Sequence, residues 1–280
     1  MGAQGFVGHA IASRLERDNV PVVRLSRREI DLLGSDASAK LAAKLRPGDA
    51  FVAVSAAVPC RDARMLRDNM TITLAMVEAA VQAPLAHVVN ISSDAVYADG
   101  PLPLTEDSLM APTSLHGAMH LARELAFKTA IKAPLAILRP SLLYGAGDPH
   151  NGYGPNRFRR LAAEGEPIVL FGEGEERRDH VLIDDLAELA ARMLYRRSTG
   201  VLNIATGQVT SFREIAEAVA RLSGKAIVIK GSPRTGSMPH NGYRPFDIAA
   251  CRVAFPDFAY VGLTAGLAKV WHGKTGGRGV

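Results

Sequence analysis

At 280 residues, 48% apolar and 22% charged, the chain has the balance of one large globular domain or two modest ones, which excludes disorder, collagen-like repetition and a coiled coil. Its longest clear apolar run, residues 50–58, is strand-sized and far short of the roughly 18 residues of a membrane span, and the N-terminus lacks a secretory layout. The net charge of +5 is mild and carried by scattered arginines, so neither nucleic acid nor membrane is an expected partner; two cysteines, Cys60 and Cys251, build no disulfide framework and fit a reducing cytoplasm.

Strand and helix signals alternate through the first 140 residues. Residues 6–18 put Val7, Ile11 and Leu15 on one helical face. Residues 20–25 are a strand-like run, 36–45 a helix, and Pro47-Gly48-Asp49 a turn before the apolar strand 50–58. A long helix follows over 66–83, with Met65, Met70 and Met76 as core filler, then a strand over 87–92, a helix over 114–131 and a short strand over 135–138. That order argues for a parallel sheet covered on both faces. After Tyr144 the texture changes: 145–156 is a Gly/Pro/Asn loop, 186–195 and 212–222 are helices, 231–245 is loose, and 273–280 reads as a frayed tail. The chain therefore divides into a nucleotide-binding part, 1–141, and a smaller substrate-binding lobe, 142–280, with some segments returning to the sheet.

Chemistry first shows at Gly2, Gly5 and Gly8, a G-x-x-G-x-x-G spacing that runs straight into the first helix. Glycines there allow a tight turn and close approach of a pyrophosphate at the positive helix end. About twenty residues on stand Ser26, Arg27 and Arg28. Two arginines with no acid at the strand end favour a 2′-phosphate, hence NADP, with NAD also possible. A strand ahead of the glycine loop is missing from the sequence, which leaves two neighbours unpaired; either the chain starts further upstream or the fold is weakened.

These residues resemble the extended short-chain dehydrogenases/reductases, the NAD-dependent epimerase/dehydratase family, over nearly the whole chain. Gly2, Gly5, Phe6 and Gly8 are similar to the family's cofactor loop, Asp31-Leu32 to its adenine-contacting pair, and 53–57, with Ala56, to the passage of ribose and pyrophosphate. Asn69 matches an Asn in the following helix, and 91–97 resembles the strand end with the catalytic Ser, here Ser93. Arg139-Pro140 with Leu143-Tyr144-Gly145 resembles the R-P-x-x-x-Y-G that ends the cofactor part. Asp94, Asn156, Arg157 and Arg178 look like the sugar-nucleotide side. The link over 25–33 is most similar to the reductase branch that includes GDP-fucose synthase.

The resemblance implies a Rossmann-type, doubly wound α/β fold, a nucleotide-sugar substrate, hydride transfer at a sugar carbon and a possible homodimer. It also exposes a departure. The family's Tyr-x-x-x-Lys pair is His116 and His120, one helical turn apart. Imidazole can move protons near neutrality, so His116 could trade protons while His120 contacts the cofactor ribose. Lost catalysis is the equal alternative, and a two-histidine metal site a third that lacks a further ligand. Three functions stay open: an oxidoreductase or epimerase-reductase, an epimerase or dehydratase that retains its cofactor, and a non-catalytic NAD(P)-binding protein.

Overall fold

A computed structural model describes residues 1–273; of the tail expected over 273–280, residues 274–280 lie outside the described residues. In chain order the elements are α1 (Phe6–Arg17), α2 (Ala37–Ala42), β1 (Ala50–Ala53), α3 (Ala63–Gln82), β2 (His87–Ile91), α4 (Leu115–Ala130), β3 (Leu135–Pro140), β4 (Leu142–Tyr144) and α5 (Pro155–Glu164). Then come β5 (Ile168–Phe171), β6 (Arg177–Leu182), α6 (Ile183–Arg196), β7 (Gly200–Ile204), β8 (Val209–Ser211), α7 (Phe212–Ser223), β9 (Ile229–Ser232), β10 (Tyr243–Arg244), α8 (Ala249–Ala254) and α9 (Leu263–His272). They form two compact units.

The first unit holds Met1–Ala98, Glu106–Pro140 and Leu186–Ile204. Its sheet runs β1-β2-β3-β7 with every pair parallel. All five residues of β2 are buried, as a strand covered on both faces requires. Met76 and Ala79 of α3 pack with Phe51, Val88 and Leu41 in the core, where a buried Leu or Met contributes about 1.5–3 kcal/mol.

Two expected strands change. Residues 20–25 form no strand: Gly2 N (2.8 Å) and Ala3 N (3.0 Å) both donate to the one carbonyl of Leu25, which builds no ladder. Met1 in turn bonds to Val52 O through its amine (2.7 Å) and to Val54 N through its carbonyl (3.1 Å). The strand expected to run to residue 58 ends at Ala53, since Asn69 draws the backbone of Ala57 out of the sheet with bonds of 2.8 and 2.9 Å.

The second unit holds Asp99–Thr105, Ser141–Asp185 and the chain from Ala205 onward. One sheet runs β10-β6-β4 with β8 antiparallel on β6, and β5 pairs in parallel with β9. Phe158, Ile168, Leu170, Phe212, Ile215 and Leu267 form its core. The expected loop 145–156 is shorter, because Pro155 takes the first position of α5, where its missing N–H costs nothing. The loose stretch 231–245 contributes the short strand β10.

Candidate active site

The glycine loop comes first in the chain. Gly2 has φ +97°, and a Cβ there would stand 2.9 Å from Ser55 N; a Cβ on Gly8 would stand 2.2 Å from Gly2 O. Only glycines let the loop, the 55–57 turn and α1 close on one another this tightly. Gly5 caps α1 without a side-chain bond, and no acid sits in the first turn, so the leading amides of a twelve-residue helix are open to an anion. Phe6 begins that helix. Ala56 lies in the turn that Asn69 clamps through Ala57. These residues suit a dinucleotide's pyrophosphate.

The turn over 26–33 is more complicated than its sequence. Arg27 reaches Asp31 at 3.2 Å, while the Arg28 side chain bonds to no described residue. Glu29, unremarked in the sequence, accepts from Ser26 N (2.7 Å) and Ser26 Oγ (2.5 Å), which holds its carboxyl below the usual range. Asp31 also caps Leu33 N at 3.1 Å, and the Leu32 side chain is core, 4% exposed. An acid therefore does stand in this turn, placed by a local hydrogen bond that spacing did not reveal.

Ser93, Asp94 and His116 come together because α4 presses on the short 3-10 turn Asp94–Val96. The contact is possible only at Gly117, where a Cβ would stand 2.0 Å from Ala95 O. Ser93 Oγ accepts from Ala95 N at 3.2 Å and points towards Asp94 Oδ1 at 3.4 Å. His116 Nδ1 accepts from Cys60 N at 3.4 Å. That bond requires a bare Nδ1, so the proton of the neutral ring sits on Nε2. Burial lowers the His116 pKa and the nearby Asp94 partly restores it.

His120 meets His116 edge to face, ring centroids 4.7 Å apart. It is 6% exposed with Nδ1 sealed and unpartnered, and burial, His116 and Arg123 hold its pKa well below the ordinary value. It is a neutral imidazole, not a fixed cation. Among the described residues no third His, Cys, Asp or Glu joins the pair as a metal ligand. Cys60 is buried, and burial raises its thiol pKa, which leaves it inert.

Beneath this cluster runs a buried polar chain. Ser92 Oγ donates to Glu124 at 2.6 Å, Glu124 pairs with Arg139, Arg139 Nη1 donates to Tyr97 Oη at 2.8 Å, and Tyr97 donates to Asn203 at 2.6 Å. It fixes the strand end that carries Ser93. Arg123, also 1% exposed, donates instead to Asn90 Oδ1 (2.7 Å), Ser55 O (2.5 Å) and Ala53 O (2.8 Å).

In the second unit Asn156 is buried, its amide spent on Gly145 N (3.0 Å) and Leu143 O (3.4 Å), so it shapes the loop between β4 and α5. Arg157 is exposed on α5. Arg178, on β6, is buried beside Glu176 at 3.3 Å. Its neighbour Asp179 accepts from Ser141 Oγ (2.9 Å) and from Thr206 and Gln208, tying β6 to two loops. Sequence reasoning missed Asp99, which accepts from Arg244 Nη1 at 2.7 Å and His240 Nδ1 at 2.5 Å; residues so far apart in the chain carry no spacing signal.

Residues 1–205 match the sequence pattern described as the NAD dependent epimerase/dehydratase family. The chain is similar to dTDP-L-rhamnose 4-epimerase of Burkholderia thailandensis, 36% identical over 138 residues, covering 46% of this chain and 38% of that protein. UDP-glucose 4-epimerase of Mycolicibacterium smegmatis is 29% identical over 257 residues, 80% of this chain and 81% of the other. GDP-L-fucose synthase of Escherichia coli is 26% identical over 259 residues, 80% of each. The solved UDP-glucose 4-epimerase of Thermus thermophilus, a complex with NAD, superposes with a TM-score of 0.84 at 22% identity, over 97% of this chain and 96% of that one. At that identity the likeness shows the fold. No helix among the described residues is long and apolar enough to cross a membrane.

Proposed function

The chain belongs to the NAD dependent epimerase/dehydratase family, and from that premise we propose that it is a nicotinamide-dinucleotide-dependent oxidoreductase or epimerase-reductase acting on a nucleotide-linked sugar. The first unit takes the cofactor and the second the sugar nucleotide. The glycine loop (Gly2, Gly5, Phe6, Gly8) and the open amides of α1 hold the pyrophosphate, beside Ala56. Arg27 and Arg28 favour the 2′-phosphate of NADP, moderated by Glu29, while Asp31 and Leu32 flank the adenine. Within the second unit Arg178 and Arg157 answer the substrate's phosphates, and Asn156 shapes the loop that follows β4. Such charge-assisted contacts are worth about 1.5–3 kcal/mol each. Exposed Leu74 and Val81 on α3 and Leu125 on α4 offer a homodimer face. Buried, reduced Cys60 and Cys251 fit a cytoplasmic setting.

One observation carries the catalytic reading: Cys60 N–H occupies Nδ1 of His116 and leaves Nε2–H for a reacting oxygen. In that tautomer the ring is a hydrogen-bond donor to the oxygen rather than a base towards it. Ser93 Oγ is the second donor, and the pair stabilises negative charge as it develops on a carbonyl being reduced. Bound, the nicotinamide supplies and accepts the hydride. His120 holds the ribose through Nε2, its sealed Nδ1 being unable to. A donor tautomer favours a chain that meets a ketone first over an epimerase or dehydratase that must first oxidise an alcohol.

A second reading, a binding protein without turnover, is favoured by His120, which is neutral and cannot supply a fixed charge beside the ribose. Mixing the chain with NADPH and a panel of 4-keto nucleotide sugars decides between them. Loss of NADPH absorbance supports the enzyme. Tight NADPH binding with no turnover of any substrate supports the binding protein, and binding of neither NADPH nor NADH ends both.

A further inference from the structure

Arg123 is a buried cation that the chain itself does not neutralise. Its guanidinium meets three neutral oxygens, Asn90 Oδ1, Ser55 O and Ala53 O, and the face of the Phe127 ring at 5.7 Å, and no described carboxylate pairs with it. The adjacent Glu124 is committed to Arg139, Lys128 and Ser92. Burial lowers the Arg123 pKa only to about 10, so the charge persists at neutral pH. An unpaired buried charge is costly, and a fold keeps one where a counter-charge arrives from outside.

Its position says which counter-charge. Ser55, whose carbonyl Arg123 holds, faces the glycine loop at its other atoms: a Cβ on Gly2 would stand 2.9 Å from Ser55 N and 3.0 Å from Ser55 Oγ. The uncapped amino end of α1 begins three residues later, at Gly5. The guanidinium and the open amides thus bracket one short turn, with the unpartnered Asn90 Nδ2 beside it. Arg123 also sits three residues from His120 on α4, and it opposes protonation there.

We infer that Arg123 is the cationic floor of the dinucleotide site, a positioning residue that holds the Ser55 turn and whose charge is answered by the pyrophosphate when the cofactor binds. This rests on the dinucleotide-binding reading above. Hydrogen bonding alone would not require it, since three neutral acceptors are as well served by a neutral donor.

The test separates charge from shape, using ADP-ribose and adenosine as probes. Arg123→Gln removes the charge and keeps donors; Arg123→Lys keeps the charge and removes the fork. Arg123→Gln is expected to weaken ADP-ribose about tenfold, to leave adenosine unchanged, and to flatten the salt dependence of binding. Arg123→Lys should stay within about threefold of wild type, one small step on the same affinity scale. Unchanged ADP-ribose affinity in Arg123→Gln overturns the inference, and so does an equal loss of both probes. If Arg123→Gln does not fold, a tenfold loss in Arg123→Lys overturns it. If neither folds, wild-type melting decides: inorganic pyrophosphate at low salt must raise Tm, and no rise overturns it. A wild-type chain that binds pyrophosphate but not ADP-ribose would refute the dinucleotide reading and leave Arg123 as an anion site.

Discussion

Glu124 and Arg139 form a two-point ion pair, Nε to Oε1 at 2.8 Å and Nη2 to Oε2 at 2.6 Å, with side chains 0% and 1% exposed. Glu124 also accepts from Ser92, one residue before the candidate catalytic Ser93. Removing one partner strands the other charge in the core. Glu124→Ala is therefore expected to cost about 3–5 kcal/mol, read as a lower denaturation midpoint in urea at unchanged slope. Glu124→Leu with Arg139→Met should recover most of that stability but not activity, because the Ser93 strand end loses its anchor. A double variant as unstable as Glu124→Ala would show that Tyr97 and Asn203, not the ion pair, dominate the network.

Gly117 sets the approach of His116 to Ser93. With a Cβ, this position would place carbon 2.0 Å from Ala95 O and 2.7 Å from Pro112, and neither neighbour is a flexible side-chain end. Gly117→Ala should cost about 1–3 kcal/mol as α4 backs away. A shift of roughly 1 Å at His116 should lower kcat by about 10²-fold. Dinucleotide affinity should fall less than kcat, because the glycine loop and α1 do not move with α4, whereas His120 and Arg123 do. Wild-type kcat in Gly117→Ala would remove the geometric basis for this site.

The parallel sheet, the glycine loop and the Ser93 strand end were legible because each rests on local sequence: apolar runs, glycine spacing and a short motif. The strand expected over 20–25 was not, since a strand exists through its neighbours, and the bonds from Gly2 N and Ala3 N both end on the single carbonyl of Leu25. Helix α5 hid behind a Gly/Pro-rich approach whose Pro155 starts a helix rather than prolonging a loop. The charges of the site were least legible. Whether Glu29 reads as an acid in the ribose turn depends on its bond to Ser26, and whether Arg123 is paired depends on Asn90 and Ser55, far away in sequence.

Cofactor choice follows from the same turn. Arg27→Ala with Arg28→Ala should weaken NADP about 10²-fold and NAD by threefold at most, since only the 2′-phosphate loses charge-assisted bonds. Glu29→Gln should act oppositely and raise the NADP-to-NAD preference several-fold, because a carboxylate beside a 2′-phosphate is repulsive. Both ratios are read by fluorescence titration. Equal binding of NAD and NADP by the wild-type chain would refute the NADP preference at once.

The pH dependence tests the histidines. His116, His120 and His180 all have pKa values lowered by burial, His180 to about 3, so the fold holds them neutral. Their stabilising preference for the neutral form is fully present above the unfolded value of about 6.5 and is lost as pH falls, because the unfolded chain then binds protons that the folded chain refuses. Melting temperature should decline progressively from pH 6.5 towards 3. Activity should follow an acid limb below 6.5 and a plateau above it, since protonating His116 would evict the Cys60 N–H from Nδ1. A rate that instead falls as pH rises from 6 to 8 would mean the imidazolium is the working form. His116→Ala should lower kcat by about 10²–10⁴-fold with little change in dinucleotide affinity. His120→Ala should weaken the cofactor. The pair His116→Tyr with His120→Lys then separates an altered active site from an inert one. Where Ser93 and its strand end remain catalytic, the longer phenol and the fixed ammonium should turn over at least as fast as wild type. A chain that only binds should stay silent with either pair. Turnover unchanged in His116→Ala would refute the donor role of His116, whatever the restored pair does.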